Sequence, residues 1–162
     1  MTTKADFTEE EWARLGRAPL VAGMAISIAD PGGPFESLKE TSAALRTVVE
    51  AAESNAHGEL VRALAADVTA KARQRQNPLA GFSPSGAQAR EQILDELRAV
   101  NALLVEKVTP EEHDEFRDWV KSTAQRTALA AKEGGFLGIG AQLVSEKEQQ
   151  MLDVLAGIFH GV

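Results

Sequence analysis

A chain of 162 residues with 44% hydrophobic residues, no Cys, no Tyr and a formal net charge of −7 fits one domain, able to bury about 70% of the surface its unfolded chain exposes. The lack of Cys excludes a disulfide framework, a thiol nucleophile, an iron–sulfur cluster and a Cys-based zinc site. The acidic balance argues against a duplex nucleic-acid partner, whose phosphates call for Lys and Arg on one face, and 27 alanines beside few aromatics point to helix.

The opening MTTKADFTEEEW lacks the basic start and apolar run of a secretory signal. The longest apolar stretch, Pro19 to Ala29, is too short to cross a bilayer about 30 Å thick. The expectation is a cytoplasmic protein without a transmembrane segment.

Thr8 stands three residues before Glu11, so its hydroxyl can cap a first turn while the Glu side chain reaches back to the cap. The helix that starts there carries Trp12 and Leu15. Pro19 cannot donate to the preceding turn and predicts a kink or a break, with a second stretch through Leu20, Val21, Met24 and Ile28. Asp30-Pro31-Gly32-Gly33 ends it. Pro34 opens the next helix, in which Phe35, Leu38, Leu45, Val48, Val49 and Ala52 recur at three- and four-residue steps. The pattern lapses around Ser54 to Gly58, and Leu60, Val61, Leu64 and Val68 form a shorter helix. Arg73 to Gly86, RQRQNPLAGFSPSG, has prolines, glycines and no periodicity, which reads as a loop.

Ile93, Leu94, Leu97, Val100, Leu103, Leu104 and Val108 mark a strongly amphipathic helix. Thr109-Pro110-Glu111-Glu112 is a second capping box, opening a helix with Phe116, Trp119, Val120 and Leu129. Gly134-Gly135 stops it. After the apolar, glycine-containing loop FLGIGAQLV, a third capping box at Ser145 to Glu148 opens the last helix, with Met151, Leu152, Leu155, Ile158 and Phe159. No run alternates with period two for long enough to make a strand. The expected architecture is all-α: one domain over 1–162, a compact bundle of about six to seven antiparallel helices, with an internal pseudo-repeat around 20–50 and 120–155.

Familiar catalytic texts are missing. There is no Glu-x-x-His of a di-iron bundle, no His-Glu-x-x-His and no phosphate-binding G-x-x-x-x-G-K-[ST]. GFSPSG at Gly81 to Gly86 and Gly138-Ile139-Gly140 lack the strand that a nucleophile elbow or a dinucleotide fingerprint follows. His57, His113 and His160 share neither face nor spacing and read as solvent-exposed. No nucleophile and base pair up, so a non-enzyme is expected.

One feature is doubled. Asp30, near the end of its helix, is followed by Gly32-Gly33, Phe35 and Glu36; Glu133, near the end of another, is followed by Gly134-Gly135, Phe136 and then Glu146 and Glu148. Acids in first turns suit the helix dipole, but Asp30 and Glu133 at helix C-termini oppose it at about 0.3–1 kcal/mol each. A hard divalent cation held by such oxygens would offset that, since a ligand at a hundred times its Kd stabilises a fold by about 2.7 kcal/mol. Ordinary turn and capping chemistry also accounts for these residues.

In the texts IADPGGPFESLKE (Ile28 to Glu40) and AAKEGGFLGIGAQLVSEKEQQML (Ala130 to Leu152), the chain resembles bacterial proteins of the tellurite-resistance TerB-like group. They are all-helical and carry a duplicated helix, Asp-Gly, first-turn Glu pattern. Pro31 interrupts the first Asp-Gly, Glu133 stands for the second Asp, and the second loop is longer. The resemblance implies a compact helical domain associated with stress or membrane-linked complexes rather than catalysis. It also implies metal positions at Asp30, Glu36, Glu133 and Glu148, for Ca, Mg, Mn or Zn.

Two other surfaces compete. Between Asp67 and Glu91 there is no acid, while Lys71, Arg73, Arg75 and Arg90 are basic; they form an anionic-partner patch or offset the dipole at a helix C-terminus. Phe136, Leu137, Ile139 and Leu143 are too apolar for a freely solvated loop, so they fold back or form a docking patch over 134–144 for a protein partner or a second copy. A metal-free interaction module is therefore the alternative to the cation site.

Overall fold

The computed structural model describes residues 1–31, 34–132 and 144–160, with side chains described at 1–31, 40–130 and 144–160. Among the described residues the regular structure is entirely helical: α1 (Glu9–Ala29), α2 (Pro34–Glu53), α3 (Glu59–Arg73), α4 (Ala89–Lys107), α5 (Pro110–Lys132) and α6 (Glu146–Ile158), with short 3-10 turns at Lys4–Asp6 and Gly86–Gln88. No described helix is long and apolar enough to cross a membrane. All three capping boxes form. Thr8 Oγ1 accepts from the Glu11 N–H at 3.2 Å, Thr109 Oγ1 from Glu112 at 3.3 Å and Ser145 Oγ from Glu148 at 3.2 Å, and each Glu side chain accepts in return from its cap residue's N–H.

Pro19 does not break its helix: α1 runs unbroken from Glu9 to Ala29. The reason lies in packing. α1 touches each of the other five helices, and its residues from Leu15 to Gly23 are buried on every face. An interior proline costs about 3 kcal/mol, and the burial of Leu15, Leu20, Val21 and Ile26 at about 1.5–3 kcal/mol apiece outweighs it. Small residues let the neighbours approach. A Cβ on Gly16 would stand 3.1 Å from Val68 Cγ2, and one on Gly23 would stand 3.2 Å from Ala44 Cβ and 3.3 Å from Thr127 Oγ1.

α2 and α5 pack on each other and on α1. α4 and α5 are joined by only Val108 and Thr109, yet they touch little, because α4 buries Ile93, Leu97 and Leu104 chiefly against α1. Beneath α6 the Phe116 ring meets Trp119 edge-on, centroids 5.7 Å apart, and lies 6.3 Å from Phe159.

α3 ends with Arg75 in the left-handed region (φ 56°), while Gln76 N–H returns to the Lys71 carbonyl at 2.9 Å and Arg75 N–H to Ala72 at 3.0 Å. Lys71 and Arg73 thus sit in the last turn of α3, where cations offset the dipole. Ahead of α1, Thr2 donates through N and Oγ1 to Glu112 at 2.7 and 2.6 Å, and Lys4 Nζ reaches Asp67 at 2.6 Å. Asp67 also accepts from Trp12 Nε1 at 2.6 Å, so the N-terminal segment is tied to α3 and α5.

Candidate functional site

The end of α1 lies beside the start of α6. Asp30 caps the C-terminus of α1, and its Oδ1 is 3.8 Å from Nζ of Lys147 in the first turn of α6. Lys147 therefore supplies the opposite charge that a carboxylate at this end calls for. Glu148 follows on the same turn but is only 1% exposed, and its Oε2 accepts the Ser145 N–H at 2.8 Å. Glu36 and Glu133, like the loop residues Phe136, Leu137, Ile139 and Leu143, fall outside the described side chains. Among the described residues no three His, Asp or Glu side chains converge closely enough to hold a metal ion.

His113 is not at the surface as the sequence suggested: it is 5% exposed. It lies on the inward face of α5 one turn before Phe116, and its Nε2 is 2.8 Å from Asn101 Oδ1 on α4. Burial lowers its pKa below the usual imidazole value; Asp114 opposes that shift and Arg117 adds to it. The cavity beside it, about 340 Å³, is lined by Thr109, Pro110 and Asp114 together with Leu104, Val105 and Val108.

A larger opening lies between α1 and α2. Leu20, Met24 and Ile28 from α1, Ala44 and Leu45 from α2, and Asn77 to Leu79 from the loop after α3 enclose about 510 Å³, with Thr127 of α5 at its base. These walls are mostly aliphatic. Beside the polar Thr41, Asn77 and Thr127, Ser27 of α1 meets Glu40 of α2 there: the Ser27 hydroxyl donates a short hydrogen bond to Glu40 Oε2, and Glu40 is only 2% exposed. At one end of the cleft Gly23 brings α1 close to Ala44 and Thr127, while Met24 and Ile28 of α1 line its wall.

The third wall is a loop held in one shape. Asn77 Oδ1 accepts from the Leu79 N–H at 2.9 Å, and Phe82 N–H returns to the Leu79 carbonyl at 3.0 Å. Arg17, 4% exposed, donates through Nη1 to the Ala80 carbonyl at 3.1 Å and places its guanidinium 5.9 Å from the Phe82 ring centroid. Its Nε and Nη2 donate to Glu96 Oε1 at 2.9 and 2.7 Å. Gly81 has φ +87°, and a Cβ there would lie 3.3 Å from Arg17 Nη1, so the turn requires glycine on both counts.

Sequence reasoning missed this cleft. Its one available signal was the apolar character of α1 on every face, which gives that helix more surface to cover than its nearest neighbours in sequence provide. No family model, curated protein or solved structure matches the chain.

Proposed function

We propose that this chain is a non-catalytic helical binding module whose ligand occupies the cleft between α1, α2 and the 77–79 loop. The observation that carries this reading is an opening of about 510 Å³ with aliphatic walls and one buried polar cluster, Ser27 with Glu40. Ligand sites typically enclose about 300–1,000 Å³ and combine an apolar lining with a few polar groups that fix orientation. A neutral apolar dye, N-phenyl-1-naphthylamine, should brighten and saturate on titration with the protein. The Met24→Gln, Ile28→Gln double variant should bind it about tenfold more weakly, since two large apolar surfaces leave the wall, with helical circular dichroism unchanged. Absence of saturable binding, or equal binding by the variant, refutes the cleft.

A second reading is the TerB-like divalent-cation site at Asp30, Glu36, Glu133 and Glu148, supported by the ion pair of Asp30 with Lys147, which brings the end of α1 to the start of α6. Ca²⁺, Mg²⁺, Mn²⁺ or Zn²⁺ at a hundred times its Kd would then stabilise the fold by about 2.7 kcal/mol, raising the thermal midpoint by several degrees over a chelator control. The Asp30→Asn, Glu133→Gln double variant should lose that rise. No rise with any ion, or an equal rise in the variant, rules the site out.

A further inference from the structure

We infer that the cavity at the α4–α5 turn is a second binding site, for a small neutral hydroxyl compound whose O–H donates to the ring of His113. It shares no lining residue with the cleft between α1 and α2, and it does not depend on that cleft being occupied. Its volume, about 340 Å³, falls in the range of ligand sites. Leu104 is fully buried and Val105 is 46% exposed, so the lining runs from the core to the surface. With Val108 and Pro110 they offer apolar cover for the body of a ligand. His113 supplies the polar anchor. Its Nε2 is 2.8 Å from Asn101 Oδ1, and a carboxamide oxygen only accepts, so the proton of the neutral ring sits on Nε2 and Nδ1 keeps a lone pair. No group of the protein takes that lone pair, since Asn101 is the one side-chain partner of this imidazole. Nor is Nδ1 sealed in. Among the described residues the only side-chain nitrogen or oxygen both shut from solvent and unpartnered is Trp119 Nε1, and His113 meets the surface along this cavity. Burial disfavours the imidazolium, against Asp114 and together with Arg117, so the ring is neutral and able to accept above pH 6.5. Asp114 sets the charge of the ligand. Its Oδ1 is already engaged by Arg117 Nη1 at 2.6 Å, which leaves little call for a cation, while an anion would meet this carboxylate beside an uncharged imidazole.

The test titrates the full chain at neutral pH with phenol and with anisole, which has the same ring but no O–H, and follows the imidazole nitrogens and the valine methyls by NMR. Phenol should shift the signals of His113 and Val105 and bind about fivefold more tightly than anisole, as one added net hydrogen bond provides. His113 should also titrate at lower pH with phenol bound than with anisole bound, because protonation of Nδ1 removes the acceptor; an imidazole with a purely structural role would titrate alike with both. In His113→Phe, which keeps a ring but has no lone pair, phenol should fall to parity with anisole. Val105→Asn, at an exposed position, should weaken both. Anisole binding as tightly as phenol to the unaltered protein overturns the site, and that comparison holds even where His113→Phe does not fold. A preference for phenol that survives in a folded His113→Phe, or shifts that fall on Ile28 of the larger cleft and spare Val105, also overturns it while leaving that cleft standing.

Discussion

At the scale of single residues, the informative positions are polar groups taken out of water. Arg17, Glu96, Glu40, His113 and Glu148 are all under 10% exposed. Each has a partner elsewhere in the chain or on its own first turn. Only Glu148 was legible beforehand, because its partner Ser145 stands three residues away in a capping box. Arg17 and Glu96 meet across 79 positions of sequence, and no local pattern announces that pairing. His113 shows the same limit: spacing marked it as unrelated to the other histidines, while its neighbour Asn101 comes from a different helix.

His113 also gives a pH prediction. Its folded pKa is depressed below the ordinary 6.5 by burial. The neutral ring is thus the form the fold favours, and its contribution is complete above pH 6.5. That contribution is lost as pH falls through the lower folded value. Urea midpoints should decline between pH 7 and 5, and His113→Gln should flatten that part of the decline while lowering stability at pH 7. A variant with an unchanged slope would refute the role of this imidazole.

Among the elements, helix starts were readable and helix partners were not. Thr8, Thr109 and Ser145 each fix a start through contacts within four residues, so the text contains the whole interaction. At Pro19 local rules set the cost, while the helix stays continuous where tertiary burial covers it. Leu129 also read as a core position of α5 but is among the exposed large hydrophobic side chains. Two glycines separate propensity from packing. Gly157 in α6 has open space where a Cβ would stand, so Gly157→Ala should gain about 0.5–1 kcal/mol. Gly23→Ala has the same propensity gain available but drives a methyl group against Ala44 Cβ, which cannot move without its backbone, and against a Thr127 hydroxyl bonded to the Thr123 carbonyl. Overpacking of this kind costs about 1–3 kcal/mol, so Gly23→Ala should be a net loss by denaturant unfolding. Equal gains at both positions would show that α1 does not approach α2 and α5 this closely.

For the whole molecule, composition had already indicated an all-helical chain, and alanine and glycine acquire a specific use in the structure: they allow five helices to gather on one. The acidic turns stand out in the sequence because their charges clash with local helix electrostatics. Yet Lys147, remote in sequence from Asp30, answers that clash across the bundle. The cleft was harder to foresee, since it depends on how α1 meets α2 at Gly23 and on a loop that Arg17 holds from another part of the chain.

The position of α1 has a further consequence for how the chain comes into being. A ribosome releases α1 early, and residues 30–109 must follow before its partner α5 begins to emerge. Until then a helix with apolar residues on every face, including Leu15, Val21 and Ile26, has only part of its eventual cover. Partly covered segments of this kind are where nascent chains associate wrongly. The tie from Thr2 to Glu112 cannot close until α5 exists. Of the six described helices, the one made before the others thus completes its cover only after α5 and α6 have followed it.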